Sequence, residues 1–103
     1  MAIGVGTKAG NKALVRLNCR FDFNCIREFR DLYEPFLTDP AITAIEINMG
    51  GVEYIDSTAL GMLLALRDKA KTARKEVMLG GCRGLTREVL EVANFDRLFS
   101  IVE

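Results

Sequence analysis

Tyr54-Ile55-Asp56-Ser57-Thr58-Ala59-Leu60-Gly61-Met62-Leu63-Leu64 sets a carboxylate and two hydroxyls directly at the start of an apolar helix. Asp, Ser and Thr favour helix N-termini because their oxygens accept hydrogen bonds from amides that have no intrahelical partner. A plain helix start accounts for that part of the stretch, and local chemistry alone reads Ser57 as an N-cap. It does not account for Gly61, because glycine inside a helix costs about 0.5–1 kcal/mol relative to alanine. That cost implies a close approach to the helix at this point.

Downstream, the helix is predicted to run over residues 57–74, apolar almost all round as far as Leu66 and then basic at Arg67, Lys69, Lys71 and Arg74. Cations there suit the negative end of the helix dipole. Upstream, residues 42–48 alternate Ile45 and Ile47 with Glu46 and Asn48, which predicts a strand. Gly50-Gly51 then reads as a turn, and residues 52–56 as a loop into the helix.

Residues 2–5 and 13–18 are β-prone and joined through Gly10-Asn11, the signature of a hairpin. Ile26, Phe29, Tyr33, Phe36 and Leu37 recur at helical spacing after Asp22 or Asn24 as a cap, and Pro35 falls near the end of that helix. Residues 77–79 predict a short strand, Leu85, Val89, Val92 and Ala93 a third helix, and residues 99–102 an edge strand or a segment packed across the sheet. The expected fold class is α/β. It is a single domain over residues 1–103 with a mixed four- to five-stranded sheet, an N-terminal antiparallel hairpin, later strands parallel, and three to four helices.

Composition excludes several function classes. A chain of 103 residues, 50% of them hydrophobic, can bury one core without metal or disulfide support. Fourteen basic and fourteen acidic residues leave no net charge, which removes the broad positive field that favours nucleic acid or an anionic membrane. The absence of histidine removes Ser-His-Asp and Cys-His nucleophilic machinery, phosphohistidine relay and most zinc sites. Cys19, Cys25 and Cys82 are odd in number, lack a C-x-x-C spacing and sit in or beside apolar runs, which predicts buried, reduced thiols. With no leader-like segment and no long apolar run, the expected location is cytoplasmic.

Other motifs carry less. Gly80-Gly81-Cys82-Arg83-Gly84 precedes a helix and could cradle a phosphate, yet it lacks both P-loop and dinucleotide spacing and reads better as a strand-to-helix turn. Asp56 follows a strand, like a receiver aspartate, but Val5-Gly6-Thr7 supplies no acidic pair to hold a divalent cation. Asp31, Glu34, Glu88 and Glu91 read as solvated helix faces. No cofactor and no metal site is expected.

Ile45-Glu46-Ile47-Asn48, the run from Val52 to Leu64, and Leu85-Thr86 through Asn94-Phe95-Asp96-Arg97-Leu98-Phe99 resemble the STAS domain, most closely that of bacterial anti-sigma factor antagonists. The resemblance spans essentially the whole chain, and Asp56-Ser57-Thr58-Ala59-Leu60-Gly61 is its most specific part, with Ala59 standing where many members carry Gly. It implies a non-enzymatic module whose serine after the aspartate is phosphorylated by a partner protein kinase, often itself the anti-sigma factor, and dephosphorylated by a PP2C-type phosphatase. By the motif, Ser57 is the implied acceptor and Thr58 the secondary candidate, within a partner-binding surface of Asp56, Ser57, Thr58, Ala59, Gly61 and Met62. Apart from the resemblance, a free edge strand near either terminus would permit pairing, and the expected oligomeric state is a monomer or weak dimer.

A phosphoryl group on Ser57 would add about −1.5 to −2 charges at a helix N-terminus, where the dipole stabilises an anion, so the fold would persist. A partner docked over it would meet that dianion beside the Asp56 carboxyl, at a cost of several kcal/mol. Two alternatives stand beside this switch. One is a STAS-type non-catalytic regulatory subunit of a transporter or lipid-trafficking complex, binding through the same surface without phosphorylation. The other is a small-molecule or nucleotide sensor using Arg83 and the turn around it.

Overall fold

The structure, a computed structural model, describes residues 4–102, the side chains of Cys19, Asp96 and Val102 excepted. Strands β1 (Gly4–Ala9) and β2 (Lys12–Phe21) form the expected antiparallel hairpin. Gly10 adopts left-handed backbone with φ of 62°, so that Gly10-Asn11 closes a two-residue turn and pairs Ala9 with Lys12. Both strands run longer toward that turn than the sequence predicts, while Ala2 and Ile3 of the predicted first strand lie outside the described residues.

Helix α1 (Ile26–Thr38) follows a 3-10 turn at Phe23–Cys25, and the Asp22 carboxylate caps that turn by accepting from the Asn24 amide at 3.0 Å. Strand β3 (Ala44–Ile55), helix α2 (Ser57–Thr72), strand β4 (Glu76–Gly80), helix α3 (Gly84–Val92) and strand β5 (Ser100–Val102) complete the order. The five strands lie in chain order across one sheet, β1 antiparallel to β2 and every later pair parallel. Each parallel pair is joined through a helix, as a crossover of this kind requires. The last segment is therefore the edge strand rather than a chain packed across the sheet.

The core lies on one face of the sheet. Val15, Leu17, Ile45, Ile47 and Leu79 alternate with half-buried or exposed neighbours along their strands and pack against Phe29, Leu63, Leu66 and Leu90 of the helices. Phe21, Phe29 and Tyr33 meet edge to face, with ring centroids 4.9 and 5.1 Å apart. Cys25 and Cys82 are buried free thiols, as expected, and burial pushes both up from the usual thiol range.

One predicted element is corrected. Gly50-Gly51 does not turn the chain, and residues 52–55 are strand rather than loop. Strand β2 continues to Phe21 and supplies a ladder for this extra length, pairing Asn18 with Gly51, Cys19 with Val52 and Phe21 with Ile55. The glycines instead absorb a shift in register between Arg16 and Asn18. A Cβ on Gly51 would sit 3.0 Å from the Leu17 carbonyl, so the two backbones approach at a distance that a side chain would resist. Strand β4 ends opposite Asn48, so the last part of β3 is paired with β2 and stands beyond the β4 edge. This raised end delivers the chain to Asp56.

Candidate functional site

Asp56 rather than Ser57 caps α2. Its backbone is extended (φ −116°, ψ 178°), and its Oδ1 accepts a hydrogen bond from the Ala59 amide at 2.8 Å. Its Oδ2 accepts from the Phe23 amide at 3.2 Å, tying the 3-10 turn after β2 to the start of α2. Ser57 is accordingly the first helical residue and not the cap that local chemistry suggested. Its side chain is exposed and has no hydrogen-bond partner among the described residues.

The remaining predicted surface divides by burial. Asp56 and Thr58 are half-buried and Gly61 is exposed on the helix. Ala59, expected on the contact surface, is fully buried: three residues past the cap it points at the sheet, in line with Leu63, Leu66 and Ala70. Met62 is half-buried and packs against the core. A Cβ placed on Gly61 would meet nothing within 4 Å, so no part of the described chain makes the close approach that this glycine implied. The surface there stays low and open.

Two flanks of this site escaped sequence reasoning. On one side Phe23, beside Asp56, is 62% exposed, and Ile26, predicted on the buried face of α1, is 48% exposed. On the other, Leu85 and Val92, whose spacing predicted the third helix, are 63% and 84% exposed. The helix is where that spacing predicted it, and Thr86 and Leu90 are its residues turned to the sheet. Tyr54 is also exposed, and the Arg20 guanidinium lies 4.5 Å from its ring centroid. Of these exposed apolar side chains, Phe23 adjoins Asp56 through its amide, Tyr54 precedes Asp56 by two residues, and Leu85 and Val92 line a groove with Leu60 of α2. The signal legible in advance was Phe23 itself, an aromatic set between Asp22 and Asn24 where a polar turn is the rule.

Electrostatics hold the Phe23 turn in place. The Asn24 amide and then the Arg20 guanidinium, 3.1 Å away, keep the buried Asp22 carboxyl below the usual carboxylate range. Cys25 Sγ donates to the Arg20 carbonyl. At the other end of the site, Gly80 closes β4 and Gly84 opens α3, so the glycine-rich segment is a strand-to-helix turn. Arg83 is engaged there, donating from Nη2 to the Gly50 carbonyl at 2.9 Å.

Residues 6–103 match the family described as Mlab, STAS domain. A STAS-domain containing protein of Pseudomonas aeruginosa is 36% identical over 92 residues, which is 89% of each chain. Among solved structures, the anti-sigma factor antagonist SpoIIAA in its unphosphorylated form is similar with a TM-score of 0.69 at 17% identity, over 92% of this chain and 96% of its own. The Bacillus cell fate determinant SpoIIAA in the phosphorylated form gives 0.74 at 15% identity, over 97% and 91%. The SulP transporter STAS domain of Vibrio cholerae gives 0.74 at 15% identity, over 94% and 77%. At these identities the structural likeness speaks for the fold.

Proposed function

This chain belongs to the STAS domain family, and from that premise we propose that it is an anti-sigma factor antagonist switched by phosphorylation of Ser57. The unphosphorylated form binds an anti-sigma factor that is also a serine protein kinase, over the surface formed by Asp56, Ser57, Thr58, Gly61 and the adjoining edge of Met62. Phosphorylation blocks that binding and a PP2C-type phosphatase restores it, in the cytoplasm and without a catalytic role for this chain. The observation that carries the proposal is the exposed Ser57 hydroxyl at the start of α2, released from capping by Asp56.

The physical effect of the modification follows from its position. The first amides of a helix lack intrahelical partners and its dipole favours an anion, so α2 tolerates the phosphate. A partner surface desolvated against the phosphate and the Asp56 carboxyl meets two like charges instead, and each 1.4 kcal/mol of that penalty weakens binding about tenfold.

Likeness to a transporter STAS domain favours one second reading, a non-catalytic regulatory subunit of a transporter or lipid-trafficking complex that binds through the same surface unmodified. Intact mass of protein purified from its own cells separates the two. An added phosphoryl group of about 80 Da on Ser57, absent in Ser57→Ala, is expected of the switch. Unmodified protein under every growth condition, together with equal partner binding by Ser57→Ala, Ser57→Asp and wild type, would sink it.

A further inference from the structure

Helix α3 carries two apolar stripes and uses one of them for folding. Thr86 and Leu90 face the sheet, whereas Leu85 and Val92 are exposed and Val89, between them at i+4, is half-buried against the core edge. With Leu60 of α2 and Ala93, this second stripe lines an open groove of about 360 Å³ whose one charged lining residue is Glu88. We infer that this groove receives an amphipathic helix of the partner protein, seated with apolar side chains between α2 and α3 and a lysine or arginine against Glu88. The inference rests on the Ser57 surface being a partner-binding site, and it names what that partner presents.

Three observations select the occupant. The stripe repeats at helical spacing, and side chains at i, i+4 and i+7 form a ridge that matches the groove of another helix. The groove begins at Leu60, three residues beyond Ser57 and next to the open Gly61, so a partner resting on α2 runs directly into it. The charge at its rim is the acidic Glu88, and the Arg87 guanidinium beside it lies 3.7 Å from Glu91. The groove is open along one side and so suits a row of side chains better than an enclosed small molecule.

The test uses the intact chain and synthetic helical peptides about four turns long, with leucines at i, i+4, i+7 and i+11 and either lysines or glutamates flanking them. Titrated into isotope-labelled protein, the lysine-flanked peptide is expected to bind saturably and to shift the amides of Leu60, Leu85, Val89 and Val92. Leu85→Asp and Val92→Asp each weaken it at least about tenfold, and exchanging lysines for glutamates weakens it several-fold. Both side chains are exposed, so the variants are expected to keep the wild-type circular dichroism and melting temperature. Shifts elsewhere, binding unaffected by Leu85→Asp and Val92→Asp, or a dimer abolished by Val92→Asp would each overturn the inference. The peptide experiment is independent of the state of Ser57. A groove that fails in a protein found phosphorylated removes this inference alone, and a groove that binds in a protein never phosphorylated removes the switch alone.

Discussion

Asp56 accepts the Phe23 amide on one carboxylate oxygen while its other oxygen caps α2, so a single side chain joins two segments 33 residues apart. Asp56→Ala is expected to cost about 0.5–2 kcal/mol for the lost cap alone. Asp56→Asn keeps an acceptor for Ala59 but turns an amide NH₂ toward Phe23. Hydrogen exchange distinguishes the two effects: protection at Phe23 falls in both variants, and protection at Ala59 falls in Asp56→Ala alone.

Gly61 separates stability from binding. A methyl group there meets open space, so Gly61→Ala is expected to raise stability in urea by about 0.5–1 kcal/mol. The same methyl group raises the floor of the proposed contact surface, and binding to the cognate regulator weakens. A variant that is more stable and binds as well as wild type would remove Gly61 from the interface.

Ser57→Asp is expected to fold as the wild type does. The exposed hydroxyl it replaces makes no hydrogen bond among the described residues, and a negative charge in the first turn of a helix is favourable by about 0.3–1 kcal/mol. Thermal melts of Ser57→Asp and wild type should agree within that range, while partner binding is lost only in the former.

Acid weakens the Phe23 turn through Asp22. Its carboxyl is held below the ordinary value of 3.8, first by the Asn24 amide and then by Arg20. A depressed folded-state value means that the stabilisation is complete above the unfolded-state value and is lost as pH falls through the folded one. Urea midpoints are therefore expected to be insensitive to Asp22 ionisation at neutral pH and to drop below about pH 4. Asp22→Asn removes that part of the drop. Asp39, lowered by the Ala41 amide and then by Lys8, contributes in the same direction and remains in the variant.

Arg74, just past the Ala73 cap of α2, adopts left-handed backbone with φ of 60°; its own amide donates to the Lys71 carbonyl and the Lys75 amide to the Ala70 carbonyl. Glycine adopts that conformation without strain. Arg74→Gly is expected to stabilise the protein by up to about 1 kcal/mol, read from the urea midpoint.

Much of this fold was legible because its periodicities are local. The alternation at Ile45 and Ile47 and the turn at Gly10-Asn11 depend on neighbours within a few residues, and both hold. The extension of β3 through Gly50-Gly51 was not legible, because what keeps those glycines in a strand is the matching length of β2, some thirty residues away. Spacing likewise placed Leu85 and Val92 on one face of α3 but could not say which face meets the sheet. At the site, Asp, Ser and Thr are interchangeable as caps by chemistry, and the extended backbone of Asp56 decides among them.

That choice has a kinetic consequence. The hydroxyl of Ser57 already faces solvent in the ground state, so an enzyme that attaches or removes a group there waits for no opening of the helix. The rate of conversion is then set by the concentrations and turnover of the acting enzymes, and each cycle returns the chain to the conformation it left. On the proposed switch, a signal written at this position would be erased and rewritten on the timescale of enzyme encounter.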